Sequence, residues 1–258
     1  MDGGRASVTA RAVAAARLHA VREPWDGGRP EDDERLARDV AGELISRASL
    51  LKGHLEARTA FVDRVLVRAL ADGVRQVVLA GAGYDGRAFR YARPGVRWFE
   101  LDHPATQADK QERLTRLGIA TEGIAFVPAD FRTDPVAEPL TAAGCDPGER
   151  TVVICEGVAV YLETDVLERL LTELARATGP GSSLLLTAST AASDARAEQR
   201  RTWLRAAVAS VGEPMRSSLS ADGAEAIMRG AGWEPAAGED PSARSRGFLL
   251  AVRRLAEG

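Results

Sequence analysis

The chain has 258 residues, 45% of them hydrophobic and 28% charged, and a formal net charge of −3. That composition excludes a collagenous, disordered or disulfide-stapled protein, and the length suits one large α/β domain whose core needs no structural metal. Acids and arginines are mixed without a basic stripe, so neither nucleic acid nor membrane is an expected partner; Cys145 and Cys155 lack metal-ligand spacing and, with no secretory leader in view, make a cytoplasmic location the expectation.

Residues 1–72 read as helical, a cap ahead of the sheet with no strand in it. The alanine-rich run Ser7–His19 is interrupted too often by arginine to be a leader or a membrane span. Gly27, Gly28 and Pro30 break that pattern, and Asp32–Leu51 resumes it. Thr59 is the expected cap of a further helix, with Phe61, Val62, Val65, Leu66, Ala69 and Leu70 on one face and a stop at Asp72-Gly73. Alternation begins there. Strands are expected at 75–80, 96–102, 124–129, 151–155 and 182–187, with the clearest helix at Asp165–Ala175. Strands alternating with helices predict an α/β fold, a Rossmann-like and mostly parallel sheet with binding groups along the carboxyl edge of its strands. Residues 190–230 read as a polar helical stretch. Gly232–Pro235 and Gly247–Val252 pair as an antiparallel ribbon at one sheet edge. The whole reads as one domain: cap 1–72, cofactor-binding core 73–189, and substrate-cap helices with terminal strands 190–258.

Gly81-Ala82-Gly83-Tyr84-Asp85-Gly86 follows the first strand and spells GxGxxG. Glycine lets such a turn adopt unusual dihedrals and lets a ligand approach the backbone. Glu100 and Asp102, about 20 residues on, are acids that could accept ribose hydroxyls. The pattern alone fits nicotinamide enzymes and methyltransferases equally. Its surroundings favour S-adenosylmethionine, which has no pyrophosphate and needs partners for a carboxylate and an amine. Arg58 offers the positive charge, Glu156 an acid at the fourth strand's end, and Asp130-Phe131 an acid and an aromatic ring for adenine.

The segments RTAFVD (58–63), RQVVLAGAGYDGRAFR (75–90), WFELDHPATQADK (98–110), VPADF (127–131) and CEGVAVYL (155–162) resemble the leucine carboxyl methyltransferase family, which includes many bacterial small-molecule O-methyltransferases. The resemblance is strongest over about residues 55–165. It implies that Arg58 binds the methionine carboxylate, Gly81 and Gly83 the methionine backbone, and Asp102, with Glu100 as the alternative, the ribose. It further implies adenine contacts from Asp130 and Phe131 and an amine contact from Glu156. The family usually has threonine where Gly86 stands, a change expected to loosen the helix start.

Methyl transfer is an in-line displacement from an activated sulfonium, so the protein mainly aligns and desolvates. A carboxylate acceptor needs no general base, whereas a phenol with pKa near about 10 benefits from one. The candidate bases are few. His103 lies beside the cofactor strand and is expected mainly to orient the turn; His19 and His54 read as helix-surface or cap residues. Tyr84 and Tyr161 either line a methyl-transfer chamber or pack at the sheet edge. Arg87 and Arg90 either steer an anionic substrate or, as expected here, form helix-face ion pairs with residues such as Asp85; Trp203, Met215 and Met228 are cap or pocket candidates for which helix-core packing is the expectation. No metal cluster, nucleophile elbow or Walker loop appears. The favoured expectation is an S-adenosylmethionine-dependent O-methyltransferase acting on a carboxylate or hydroxyl of a small natural-product intermediate. A protein C-terminal carboxyl methyltransferase, a nicotinamide-dependent oxidoreductase lacking a Tyr-x-x-x-Lys pair, and a catalytically silent cofactor-binding module are the alternatives. Oligomeric state stays open.

Overall fold

A computed structural model describes residues 6–18, 25–41, 52–188, 213–236 and 241–253, with isolated positions 23, 199, 202, 206 and 209. Two compact units divide the chain, one of residues 4–128 and one of residues 129–258 with 1–3.

In the first unit, helices α1 (Val8–Arg17), α2 (Pro30–Ala41) and α3 (Lys52–Ala71) precede β1 (Gln76–Ala80), α4 (Arg87–Arg90), β2 (Arg97–Asp102), α5 (Pro104–Leu117) and β3 (Ile124–Pro128). The strands run parallel in the order β3-β2-β1, with Ala80 beside Leu101 and Asp102 beside Pro128. The carboxyl ends of the three strands therefore align. All five residues of β1 are buried, as are the last five of β2, the continuous burial expected of a parallel strand covered on both faces.

Two helix boundaries differ from expectation. Thr59 does not cap a helix; it lies inside α3, buried, because Lys52 to Arg58 are themselves mostly good helix formers. Pro30 does not break one either. It is the first residue of α2, where its missing N–H costs nothing and its fixed φ suits the helix. Residues 42–51 lie outside the described residues. The expected stop after residue 71 holds: Gly73 takes φ +89° there.

In the second unit, α6 (Ala137–Ala142), β4 (Thr151–Cys155), a 3₁₀ turn (Ala159–Tyr161), α7 (Thr164–Arg176) and β5 (Ser183–Thr187) lead to α8 (Ala221–Gly230), β6 (Trp233–Pro235), α9 (Pro241–Ser245) and β7 (Phe248–Arg253). β4 and β5 are parallel; β7 runs antiparallel to β5 and β6 antiparallel to β7, so the expected terminal ribbon is present. α7 buries Leu167, Leu170, Leu171 and Leu174, the i, i+3, i+4, i+7 stripe of an amphipathic helix. Each such side chain contributes roughly 1.5–3 kcal/mol on burial. The Trp233 indole donates to the Leu171 carbonyl at 2.9 Å, fixing the edge strand to that helix. Met228 is fully buried in α8, the packing role expected of it, while Trp203 and His19 lie outside the described residues. Of the stretch 190–230, residues 221–230 are helical and 213–220 are not.

The fold is thus the Rossmann-like α/β class, with parallel strands and an antiparallel C-terminal edge. Among the described residues no helix is long and apolar enough to cross a membrane, and no cluster of three or more His, Cys, Asp or Glu could hold a metal ion.

Candidate active site

In the first unit the glycine turn leaves β1 at the carboxyl edge. Gly81 and Gly83 take φ +77° and +50°, a region that side-chain-bearing residues rarely enter. The amides of Gly81 and Ala82 donate to the Leu101 carbonyl at 2.8 and 2.9 Å, and Asp85 N–H closes the turn on Ala82 O at 2.8 Å. The Gly83 amide donates to Asp102 Oδ2 at 2.5 Å, while Asp102 Oδ1 accepts from the His103 amide at 2.7 Å. The acid that ends β2 therefore fixes the turn that ends β1, 19 residues away. Burial raises the Asp102 pKa, and the two amides pull it back. α1 lies over the turn: a Cβ on Gly83 would stand 3.0 Å from the Ala10 Cβ.

Beneath the turn is a buried charge network. Arg87, 1% exposed, donates from Nε to Asp63 Oδ1 and from Nη1 to Asp85 Oδ2, both at 2.6 Å. Asp63 also accepts from the Tyr91 hydroxyl at 2.7 Å, and Arg17 of α1 reaches Asp85 at 3.2 Å. Lys110 donates to Glu100 Oε2 at 2.6 Å and to the Asp85 carbonyl at 2.7 Å. Glu100 is fully buried; desolvation raises its pKa and Lys110 draws it down. Of the two acids considered for ribose, Glu100 faces this internal lysine and Asp102 is held by backbone amides.

Arg87 pairs with Asp85 as expected, but in the interior rather than on a helix face. Arg90 pairs with Asp33 of α2 at 2.7 Å. That pair explains Gly86, which a looser helix start does not: a Cβ at position 86 would lie 2.0 Å from Asp33 Oδ1, so α2 fills the space a side chain would need.

Tyr84 packs with Ala14, Leu36, Val40, Phe89, Leu114 and Ile119, and its hydroxyl donates to Asp109 at 2.5 Å. This is the packing arrangement of the two considered. Burial and the Asp109 carboxylate push the phenol up to about 12, well away from base catalysis near neutrality. His103 caps α5, its Nδ1 accepting from the Ala105 amide at 3.3 Å. The His54 side chain lies outside the described residues. Arg58 sits in α3, partly buried, one residue before the buried Thr59.

The second unit carries the remaining candidates. Asp130 and Phe131 follow Ala129, both partly buried. The Asp130 carboxylate accepts from Arg132 at 2.6 and 3.0 Å, and Arg169 of α7 holds the Phe131 carbonyl at 3.0 Å. Glu156 follows β4, 8% exposed, where Gly157 (φ +73°) donates to Thr187 Oγ1 at 2.8 Å and bends the chain. Tyr161, partly buried, ends the 3₁₀ turn. Sequence reasoning missed Asp63, Tyr91 and Arg17. Asp63 was legible, being an acid on the apolar stripe of α3.

A glycine turn leaving a parallel strand and tied to the acid ending the next one defines a Rossmann-type ligand-binding protein. The chain belongs to the leucine carboxyl methyltransferase family, whose model matches residues 8–175. A protein of Parafrankia sp. (strain EAN1pec) named as an S-adenosyl-L-methionine-dependent methyltransferase is 42% identical over 151 residues, 57% of this chain and 48% of that protein. The chain spans about half the length of the first curated relatives it matches. Among solved structures, a DUF574 family protein of Streptomyces avermitilis superposes with TM-score 0.62 at 17% identity, covering 96% of this chain and 98% of that one. The 1,6-didemethyltoxoflavin-N1-methyltransferase of Burkholderia thailandensis, solved with 1,6-didemethyltoxoflavin and S-adenosylhomocysteine, gives TM-score 0.51 at 13% identity over 92% of this chain and 94% of that one. Such low identities speak for the fold alone.

Proposed function

We propose that the chain binds S-adenosyl-L-methionine and transfers its methyl group to an oxygen, with a small-molecule carboxylate as the favoured acceptor. One observation carries the choice of cofactor. The helix after the glycine turn, α4, has only four residues and begins at a glycine with no side-chain cap, and Asp85 and Asp102 line the turn. A pyrophosphate is favoured by a helix N-terminus aimed at it, which a four-residue uncapped helix supplies poorly, whereas a sulfonium cofactor has no phosphate to place there. The relatives named for this cofactor point the same way.

When bound, the cofactor supplies an activated methyl group. The chain's own residues bind and orient it: Asp102 accepts from ribose hydroxyls while holding Gly83, and by the family resemblance Arg58 takes the carboxylate, Glu156 the amine, and Asp130 and Phe131 the adenine. The choice of acceptor follows from the scarcity of bases. His103 is engaged as a helix cap and Tyr84 is a phenol with its pKa raised, so the described side chains of the turn favour an acceptor already anionic near neutrality. A small natural-product acid in the cytoplasm suits this reading; a protein carboxyl terminus is the second acceptor to test.

The test is thermal unfolding with S-adenosylhomocysteine and, separately, NAD(H). Ligand at about 100 times its dissociation constant stabilises by about 2.7 kcal/mol, several degrees for a chain of this size. A shift with the homocysteine product alone, abolished in Asp102→Ala, supports the proposal, and a screen of carboxylates and phenols then identifies the acceptor. A shift with NAD(H) alone overturns it in favour of an oxidoreductase. No shift with either makes the chain a silent module.

A further inference from the structure

Of the 34 basic residues only Lys52 and Lys110 are lysine. Lys110 is also buried, its side chain 1% exposed, with the ammonium 6.0 Å from the centre of the Phe89 ring. It donates at once to a side chain of β2, Glu100, and to the main chain of the glycine turn, the Asp85 carbonyl. A compact ammonium reaches both acceptors at 2.6–2.7 Å, whereas a planar guanidinium needs a wider, fork-shaped site. In a chain so biased toward arginine, a buried lysine marks a place where the geometry admits only that cation.

We propose that Lys110 is a positioning residue for the cofactor turn, resting on the methyltransferase reading above. It fixes the Asp85 carbonyl relative to β2, so that the Gly83 amide stays on Asp102 and the turn keeps the shape that receives the donor. Glu100 is its counter-ion, through Oε2. Stability is a poor reason for such a pair, since a buried ion pair can be replaced by apolar residues with little loss. The bond to the Asp85 carbonyl is different, because no apolar replacement reproduces it. Asp85 is held on its other sides by Arg87, which bonds its carboxylate from both the amide and Nη1, and by Arg17. Lys110, from α5, bonds that carbonyl and Glu100 of β2 at once.

Three variants separate positioning from structural support. Lys110→Met leaves Glu100 buried without its cation and is expected to lose both thermal stability and cofactor affinity. Lys110→Met/Glu100→Leu removes the pair together and is expected to recover most of the thermal midpoint. In that double variant amide exchange at Gly83, measured on the ligand-free protein, should still be at least about ten-fold faster than in the native chain, the loss of roughly one hydrogen bond. Its affinity for S-adenosylhomocysteine by calorimetry should remain at least about ten-fold weaker. Lys110→Arg should share both defects. Native exchange at Gly83 in the double variant overturns the proposal, whatever the ligand does. If the native protein itself fails to bind S-adenosylhomocysteine, the methyltransferase reading falls, and the exchange measurement still decides the role of Lys110.

Discussion

Restoring threonine at position 86 tests how closely α2 is fitted to the glycine turn. Gly86 has φ −102° and ψ 11°, which any residue can adopt, so Gly86→Thr is penalised by space and not by backbone strain. The new Cβ would stand 2.0 Å from Asp33 Oδ1, 2.5 Å from its Cγ and 2.8 Å from its Cβ. Swinging the carboxylate away relieves the first two contacts and breaks its 2.7 Å pair with Arg90; the third needs movement of α2 itself. Overpacking costs about 1–3 kcal/mol. Loss of a buried ion pair costs about 3–5, less here because Arg90 is only partly buried. The expected sum is about 3–5 kcal/mol, roughly a 10 °C fall in Tm by calorimetry. Asp33→Ala removes two of the three clashing atoms, so in that background Gly86→Thr should cost less than half as much. Equal cost in both backgrounds, or a native-like single variant, would refute the argument that α2 occupies the space.

Tyr84→Phe should cost about 1 kcal/mol in urea unfolding through the lost bond to Asp109, leave S-adenosylhomocysteine binding intact, and delete from the alkaline absorbance titration the tyrosine that ionises at about 12. Asp39 is held below its ordinary 3.8 by Arg116 and Arg113, burial opposing them. Its folded pKa lies below the unfolded one, so its stabilisation is present above pH 3.8 and lost as pH falls through the folded value. Asp39→Asn should therefore unfold earlier than the native chain at neutral pH and alongside it in strong acid. Cys145 and Cys155 are both buried, and burial pushes the Cys155 thiol up to about 12. An aromatic disulfide reagent at pH 8 should react with both thiols in denaturant and only slowly in the native state; fast native reaction would contradict their burial. Trp233→Phe should cost about 1 kcal/mol through the lost bond from its indole to the Leu171 carbonyl, beyond any change in packing.

The five parallel-type strands were legible to within a residue or so because runs such as VVLA and TVVIC are apolar on both faces and bounded by glycine or charge. The terminal ribbon was legible from its glycines. Helix starts were less so. Thr59 and Pro30 each carry a local signal of two meanings, and the residues upstream decided between cap and interior, breaker and first turn. In the site, the glycine turn and its acids were readable from spacing, whereas the ion network beneath them was not. Hydrophobic periodicity identifies the buried face of a helix but is silent on charges within it. Thr59, Val62, Asp63, Leu66 and Leu70 form one buried stripe of α3, and the acid in its middle was the available sign of a cation from elsewhere. Tyr84 looked equally suited to catalysis and packing because its partners on α1, α2 and α5 are distant in sequence.

Four of the bonds that shape the glycine turn span short stretches of chain. Gly83 meets Asp102 across 19 residues, Arg87 meets Asp63 across 24, Lys110 meets Asp85 across 25 and Tyr91 meets Asp63 across 28. Loops this short close at little entropic cost, and none of these bonds requires a residue beyond 110. On the ribosome, the glycine turn can therefore be assembled once the first unit has emerged. Residues 129–258, synthesised at about 5–20 residues per second, follow over roughly 6–26 seconds. During that interval the nascent chain holds a formed glycine turn before Glu156, Tyr161 and the terminal strands exist.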